Sequence, residues 1–343
     1  MADIGPAELV AGIALAALTA YALLGGADFG GGVWDLLASG PRKREQRALI
    51  AEAIGPIWEA NHVWLILVVV LLFTCFPPAF ARLSVVLHVP LSLMLIGIVL
   101  RGSAFVFRSH YGHEPEPVDS GTGRRWGRVF AIASVGTPVL LGVCVGALSA
   151  GTLRPPGRVG FYAGYVAPWL TPFGLGVGFL TLALFAFLAA VYLTVEARDP
   201  ALREDFRRRA LGGALAVFVT AFATLGLAVL GAPLMGRGLT AAAWAPALHL
   251  ATGAAAVTAI GALWRRHYRV ARLAAAGQVS LILWGWALAQ YPYLVPPDLT
   301  IRSAAAPRIT LVLTLWVLAA GALVLFPSLA YLFRVFKQSP ARP

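Results

Sequence analysis

The chain has 343 residues, of which 59% are hydrophobic and only 12% charged, with a mean hydropathy of +0.79. A soluble domain carries roughly 25% charged residues, so the composition excludes an ordinary soluble enzyme and points to a polytopic membrane protein. The net charge of +12, from 27 Lys+Arg against 15 Asp+Glu, is read as loop charge that sets membrane topology rather than as a nucleic-acid footprint.

A spanning helix needs about 20 mostly apolar residues. Nine such runs follow one another: 7–27, 56–76, 81–105, 128–150, 167–195, 209–234, 241–263, 273–293 and 308–333. The opening MADIGPAELV is acidic rather than basic, so the first run is expected to be a retained span and not a cleaved signal peptide. Twenty of the 27 Lys and Arg fall in the first, third, fifth and seventh loops and the tail. Six fall in the alternate loops, and Arg101 lies inside a run. By the positive-inside rule this puts the N-terminus outside and the C-terminus in the cytoplasm, with residues 1–343 forming a single integral membrane domain. No loop is long enough for a soluble domain, and no internal repeat is visible.

Ionisable residues inside spans are costly and are functional candidates by default. The first run ends in GGADFGGGVWD. The Gly26-x-x-x-Gly30 spacing there lets two helices approach closely; equally, the glycines could end the helix and leave Asp28 in interfacial water. The second run opens with GPIWEANHVW, residues 55–64. At about 100° per residue, with Trp58 at the origin, His62 lies about 40° round, Glu59 about 100°, Trp64 about 240° and Asn61 about 300°. Trp58, His62 and Glu59 therefore share a face, with Asn61 on its flank. Two readings stand: an interfacial aromatic belt with polar tips in water, or a carboxylate–imidazole pair able to pass protons. The third run carries Arg101 near the end on the same side, so Asp28, Glu59 and Arg101 converge near the cytoplasmic boundary. An arginine in hydrocarbon is cheaper beside a carboxylate, and a structural ion pair between Asp28 and Arg101 is expected.

The other polar residues carry less. Cys75 and Cys144 read as small buried apolar residues. His88 and His249 read as hydrogen-bonded core residues rather than haem ligands, while His110, His113 and His267 fall in loops. The three methionines offer little as axial ligands, so no metal or haem held by this chain's own ligands is expected. The stretch GWALAQYPYLVPPDLT, 285–300, reads as an aromatic belt.

Five stretches together carry a resemblance: GADFGGGVWD (26–35), AIGPIWEANHVWLI (53–66), FPPAFA (76–81), LRGSAFVFR (100–108) and AQYPYLVPPDLTI (289–301). They resemble subunit II of the cytochrome bd-type quinol oxidases, in a divergent, cyanide-insensitive-like branch. The resemblance implies an all-α membrane fold of about nine transmembrane helices, arranged as two four-helix bundles plus one peripheral helix. It implies a bacterial plasma-membrane enzyme of the aerobic respiratory chain that oxidises quinol at the outer face and reduces oxygen to water. Such an enzyme takes protons from the cytoplasm and builds a proton-motive force without pumping. Haems b and d belong to the partner subunit I, which this haem-free chain would stabilise. The other implied partners are a small single-span accessory subunit, quinol and membrane lipid.

Residue by residue, the resemblance gives Glu59 a place on a cytoplasmic proton path, with His62 beside it. It makes Asp28 and Arg101 a stabilising polar pair, and it makes Trp58, Asn61 and Trp64 contacts for a structural quinone or for the subunit interface. The family motif reads GPxWDGNEVW. Here Glu59 stands for the first acid, Ala60 for glycine and His62 for the second acid, so the proton path differs in detail. The rival reading is a proton-coupled secondary transporter with Glu59 and Asp28 as coupling residues. That class favours repeats and broken helices near mid-membrane, whereas the polar cluster here is expected near one face.

Overall fold

Among the described residues of the computed structural model, 4–54, 58–111, 121–155, 157 and 159–338, eight helices are long and apolar enough to cross a membrane, and a bent pair makes up to nine. The eight are α1 (Pro6–Leu36), α5 (His88–Tyr111), α6 (Gly121–Ala150), α8 (Pro172–Glu196), α9 (Pro200–Gly231), α11 (Ala245–Trp264), α12 (Tyr268–Gln290) and α13 (Arg308–Gln338). The bent pair is α3 (Trp58–Cys75) and α4 (Pro77–Val86). Short pieces join them: α2 (Lys43–Ile54), α7 (Phe161–Tyr165), α10 (Pro233–Ala241), and an antiparallel pair of β1 (Tyr293–Val295) and β2 (Leu299–Thr300). The fold is an all-α polytopic membrane fold.

Proline sets much of the punctuation. It occupies the first turn of α1, α4, α8, α9, α10 and α11, where its missing N–H costs nothing. Thr171 and Asp199 cap α8 and α9 by accepting from the main-chain N–H groups of Gly174 and Leu202, each at 3.0 Å.

Several boundaries differ from expectation: α9 starts at Pro200 rather than 209 and α12 at Tyr268 rather than 273. One difference changes the path of the chain. The run 81–105 is not a single crossing. Pro77 and Pro78 cannot donate to the preceding turn, so the helix breaks at Phe76 and turns by 117° into α4. The third crossing starts only at His88. The freed Cys75 carbonyl accepts instead from the Ala306 main-chain N–H at 2.8 Å. The stretch 285–300 also departs from a simple aromatic belt. Trp286 Nε1 donates to Ser149 Oγ at 2.6 Å, Ser149 Oγ to Gln290 Oε1 at 3.1 Å, and Gln290 Nε2 to the Leu294 carbonyl at 3.1 Å, tying α12 to α6.

The crossings form two groups of four. α1, α3, α5 and α6 pack together, as do α8, α9, α11 and α12. α8 joins the groups by lying against α1 and α6, and α13 packs at the edge formed by α1 and α3. Close approach of α1 to α8 explains Gly26 and Gly30, while Gly31 meets Ile54 of α2 and Gly32 meets Ser134 of α6. A Cβ on Gly26 would come 2.5 Å from the Phe185 ring, and one on Gly30 would land on the Phe185 carbonyl. Trp34 Nε1 then donates to the Ala186 carbonyl at 2.7 Å across the same seam. The glycines do not end the helix: α1 runs through them to Leu36.

The charged loops segregate as the alternation of arginines requires. At one end, Arg42 makes a two-pronged contact with Asp205 at 2.8 and 2.6 Å, and that carboxylate holds the guanidinium above its ordinary pKa. Gln46 is buried between Asp205 and Arg209, and Arg272 lies 3.7 Å from Glu196. At the opposite end, Arg82 pairs with Asp298 at 2.7 Å and Arg302 with Glu8 at 2.5 Å.

Candidate functional site

Three helices bring polar side chains together towards the end of α1 that carries the basic loops. Asp28 of α1 is 4% exposed, Asn61 of α3 1% and Arg101 of α5 2%. Asn61 Nδ2 donates to Asp28 Oδ2 at 2.7 Å. Arg101 Nη2 donates not to that carboxylate but to the Asp28 main-chain carbonyl, at 2.8 Å. The pairing expected between the two side chains therefore takes another form: the guanidinium holds the backbone and the amide holds the carboxylate. The reason is local. The Asp28 carbonyl points towards the following turn, where residues 30–32 are all glycine, and no Cβ screens it from a long side chain on α5.

The guanidinium is enclosed by aromatic faces. Its Cζ lies 4.6 Å from the Phe29 ring centre and 5.4 Å from that of Phe130 on α6. A desolvated cation over such faces gains about 2 kcal/mol, which helps to keep a charge where water is excluded. His62 packs against α1 rather than lying open on the surface of α3. Its ring is 5.9 Å from Tyr21, edge-on at 76°, and 6.1 Å from Phe29. Tyr21 and Phe29 are two turns apart on α1, so the imidazole fills the gap between them. Trp64 packs against the central apolar cluster of α1, α8 and α12.

The structure thus brings Asp28, Asn61, His62 and Arg101 together. Trp58 and Glu59 begin α3, but their side chains lie outside the described residues. His88 and His249 contact main-chain carbonyls, of Val85 at 3.0 Å and Leu239 at 2.8 Å. Both cysteines are buried and free.

With this geometry in place, the comparisons become informative. Residues 6–336 match the family of cytochrome bd terminal oxidase subunit II. The chain belongs to that family.

Individual relatives of subunit II match over shorter stretches. Cytochrome bd ubiquinol oxidase subunit 2 of Bacillus subtilis (strain 168) is 36% identical over 93 residues, 27% of this chain and 27% of that protein. Cytochrome bd-I ubiquinol oxidase subunit 2 of Escherichia coli (strain K12) is 27% identical over 184 residues, 52% of this chain and 46% of that protein. The chain therefore matches less than half the length of these curated relatives. In three dimensions the likeness is longer. The bd oxidase structure from Geobacillus thermodenitrificans superposes with a TM-score of 0.78 at 21% identity, covering 96% of this chain and 98% of that one. That likeness carries the fold: this subunit II has the helical frame of a bd oxidase chain and is a multi-pass protein of a bacterial membrane.

Proposed function

We propose that this subunit II is the haem-free chain of a membrane quinol oxidase that reduces oxygen to water. In this reading it braces a haem-bearing subunit I and offers protons a way in from the cytoplasmic side. The observation that carries the reading is the family match over residues 6–336. The buried Asp28–Asn61–Arg101 cluster supports it, because a charge sequestered among three helices near one membrane face suits a braced subunit better than a moving carrier. The bend of α3 into α4 lies at the end of α3 away from this cluster, at residues 75–77.

In this reading the basic loops face the cytoplasm and the N-terminus faces outward. The haem iron belongs, in this reading, to the partner chain, as the family match implies. Any structural quinone near the start of α3 would rest on Trp58. Asn61 is turned to Asp28, and Trp64 packs against the apolar core. Glu59 is the proposed proton carrier, and His62, one turn on, packs against Tyr21 and Phe29.

The test is purification of the complex in mild detergent, with its haem spectrum and oxygen consumption recorded for wild type and for Glu59→Gln. A haem-bearing partner is expected to co-purify. The substitution is expected to slow turnover by at least tenfold while haem content stays unchanged. Absence of any haem partner would remove the oxidase reading; full turnover by Glu59→Gln in an intact complex would remove the proton role of Glu59.

A further inference from the structure

Serine and threonine in an apolar helix usually satisfy their hydroxyl by folding it back on the carbonyl one turn earlier. Thr19, Ser149, Thr181, Thr220, Thr240, Thr258, Ser280 and Ser328 all do so here. Two hydroxyls of α6 do not. Ser134 Oγ and Thr137 Oγ1 are fully buried, at 0% and 2% exposure, and neither has a hydrogen-bond partner among the described residues; the same holds for Nε of the buried Arg101.

These three atoms share one seam between α1, α5 and α6. Ser134 Oγ occupies the space that a Cβ on Gly32 would take, and the Phe130 ring borders that same space at 3.3 Å. Phe130 in turn faces the Arg101 guanidinium. Thr137 Oγ1 occupies the space left by Gly97, one turn before Arg101 on α5. A fourth polar group belongs to the set. Pro138 sits inside α6 and has no N–H to give to the Ser134 carbonyl one turn back. One donor and two hydroxyls are thus left over along this seam, beside a carbonyl that lacks its usual helical donor.

A buried polar group without a partner costs roughly 1–3 kcal/mol, and several in one seam would work against the packing of the bundle. Water answers every member of the set. We propose that this seam is a binding site for internal water, held by Arg101 Nε, Ser134 Oγ, Thr137 Oγ1 and the Ser134 carbonyl, beside the Asp28–Asn61 pair. Water accepts from the guanidinium and donates to a hydroxyl or the carbonyl, which gives it the two to four partners that a buried water needs. An anion is excluded by the Asp28 carboxylate alongside, and a cation by Arg101. The glycines at 32 and 97 then serve two purposes: they let the helices close, and they leave the hydroxyls room to turn away from their own helix.

The test is X-ray radiolytic hydroxylation of the intact purified complex, since radicals made from bound water label the side chains next to it. Phe29 and Phe130, at 1% and 2% exposure, are expected to be labelled. Phe187 and Phe206, equally buried at 1% and 0%, are expected to stay silent. In the Ser134→Ala/Thr137→Val double variant, labelling of Phe130 is expected to fall several-fold while that of the exposed Tyr162 is unchanged. Silence at Phe29 and Phe130 in the wild type would show a dry seam and overturn the proposal. Undiminished labelling in a correctly assembled double variant would equally overturn it, because the water would then not be held by these hydroxyls. The wild-type comparison stands even where the double variant fails to assemble.

Discussion

Gly30→Val is expected to abolish accumulation of the assembled protein in the membrane. The first atom that any larger residue adds at this position meets the main-chain carbonyl of Phe185, with the Ala189 Cβ 2.8 Å away. A backbone atom cannot rotate aside as a side chain can. Relief would require α1 and α8 to part, and with them the Trp34 hydrogen bond to the Ala186 carbonyl. Ordinary overpacking costs about 1–3 kcal/mol, and a clash against backbone at the joint between the two helix groups lies at or above the upper end. Even Gly30→Ala should lower the thermal midpoint of the purified complex by several degrees. Gly253→Ala, where nothing lies within 4 Å, should leave it in place and is the matched control. Wild-type stability in Gly30→Ala would mean that the two helices are not in the contact described.

Arg101→Met is expected to be the most damaging substitution among the polar residues. It removes the donor to the Asp28 carbonyl and the cation between Phe29 and Phe130, and it leaves the Asp28 carboxylate buried with Asn61 alone. Breaking a buried charge arrangement from one side costs about 3–5 kcal/mol. Adding Asp28→Asn should restore part of the loss, because the orphaned charge is then gone and an amide can still meet Asn61. The reciprocal swap, Asp28→Arg with Arg101→Asp, should restore nothing. The guanidinium is bonded to a main-chain carbonyl, which no exchange of side chains relocates. Thermal unfolding and yield of these three variants and of the two single changes, Asp28→Arg and Arg101→Asp, decide the matter: a swap that performs better than either single change would show a direct carboxylate–guanidinium pair instead.

Most of the fold was legible because membrane crossing is a question of length and apolarity, and both are local properties of sequence. The bend at Phe76 was equally local, written in the two prolines that follow it, and the second run ends there. The third crossing starts at 88 and not at the expected 81, since the apolar residues of 83–87 continue the composition without a break. The site was legible only in part. Asp28 and Arg101 stood out as charges in hydrocarbon, and their convergence followed from topology. The form of their contact did not, because a sequence displays side chains while the acceptor here is backbone, uncovered by the glycines at 30–32.

Asn61 shows a second limit. Angles around α3 are fixed by helical geometry, yet which angle faces α1 is decided by packing, so the residue placed on the flank proved to be the one holding the carboxylate. His62 was read as a partner of Glu59. Its contacts with Tyr21 and Phe29 make it equally a spacer between α1 and α3. The hydroxyls of Ser134 and Thr137 did leave a signal, the proline at 138 one turn beyond Ser134, but only the absence of the usual fold-back bond gives it meaning.

The attachment of α13 bears on how the chain comes to be built. Only 6% of its most apolar stretch is buried, while Leu311 in its first turn is 4% exposed. The segment leading into it is fastened twice, through the Ala306 N–H on the Cys75 carbonyl and through Arg302 on Glu8. α13 is thus moored at its N-terminal end and otherwise lies along the bundle. The partners for that mooring, Glu8 and Cys75, lie in α1 and α3, and the Arg302–Glu8 pair joins positions 294 residues apart. The fastening can form only once α1 and α3 are already in place, so α13 is secured late in folding.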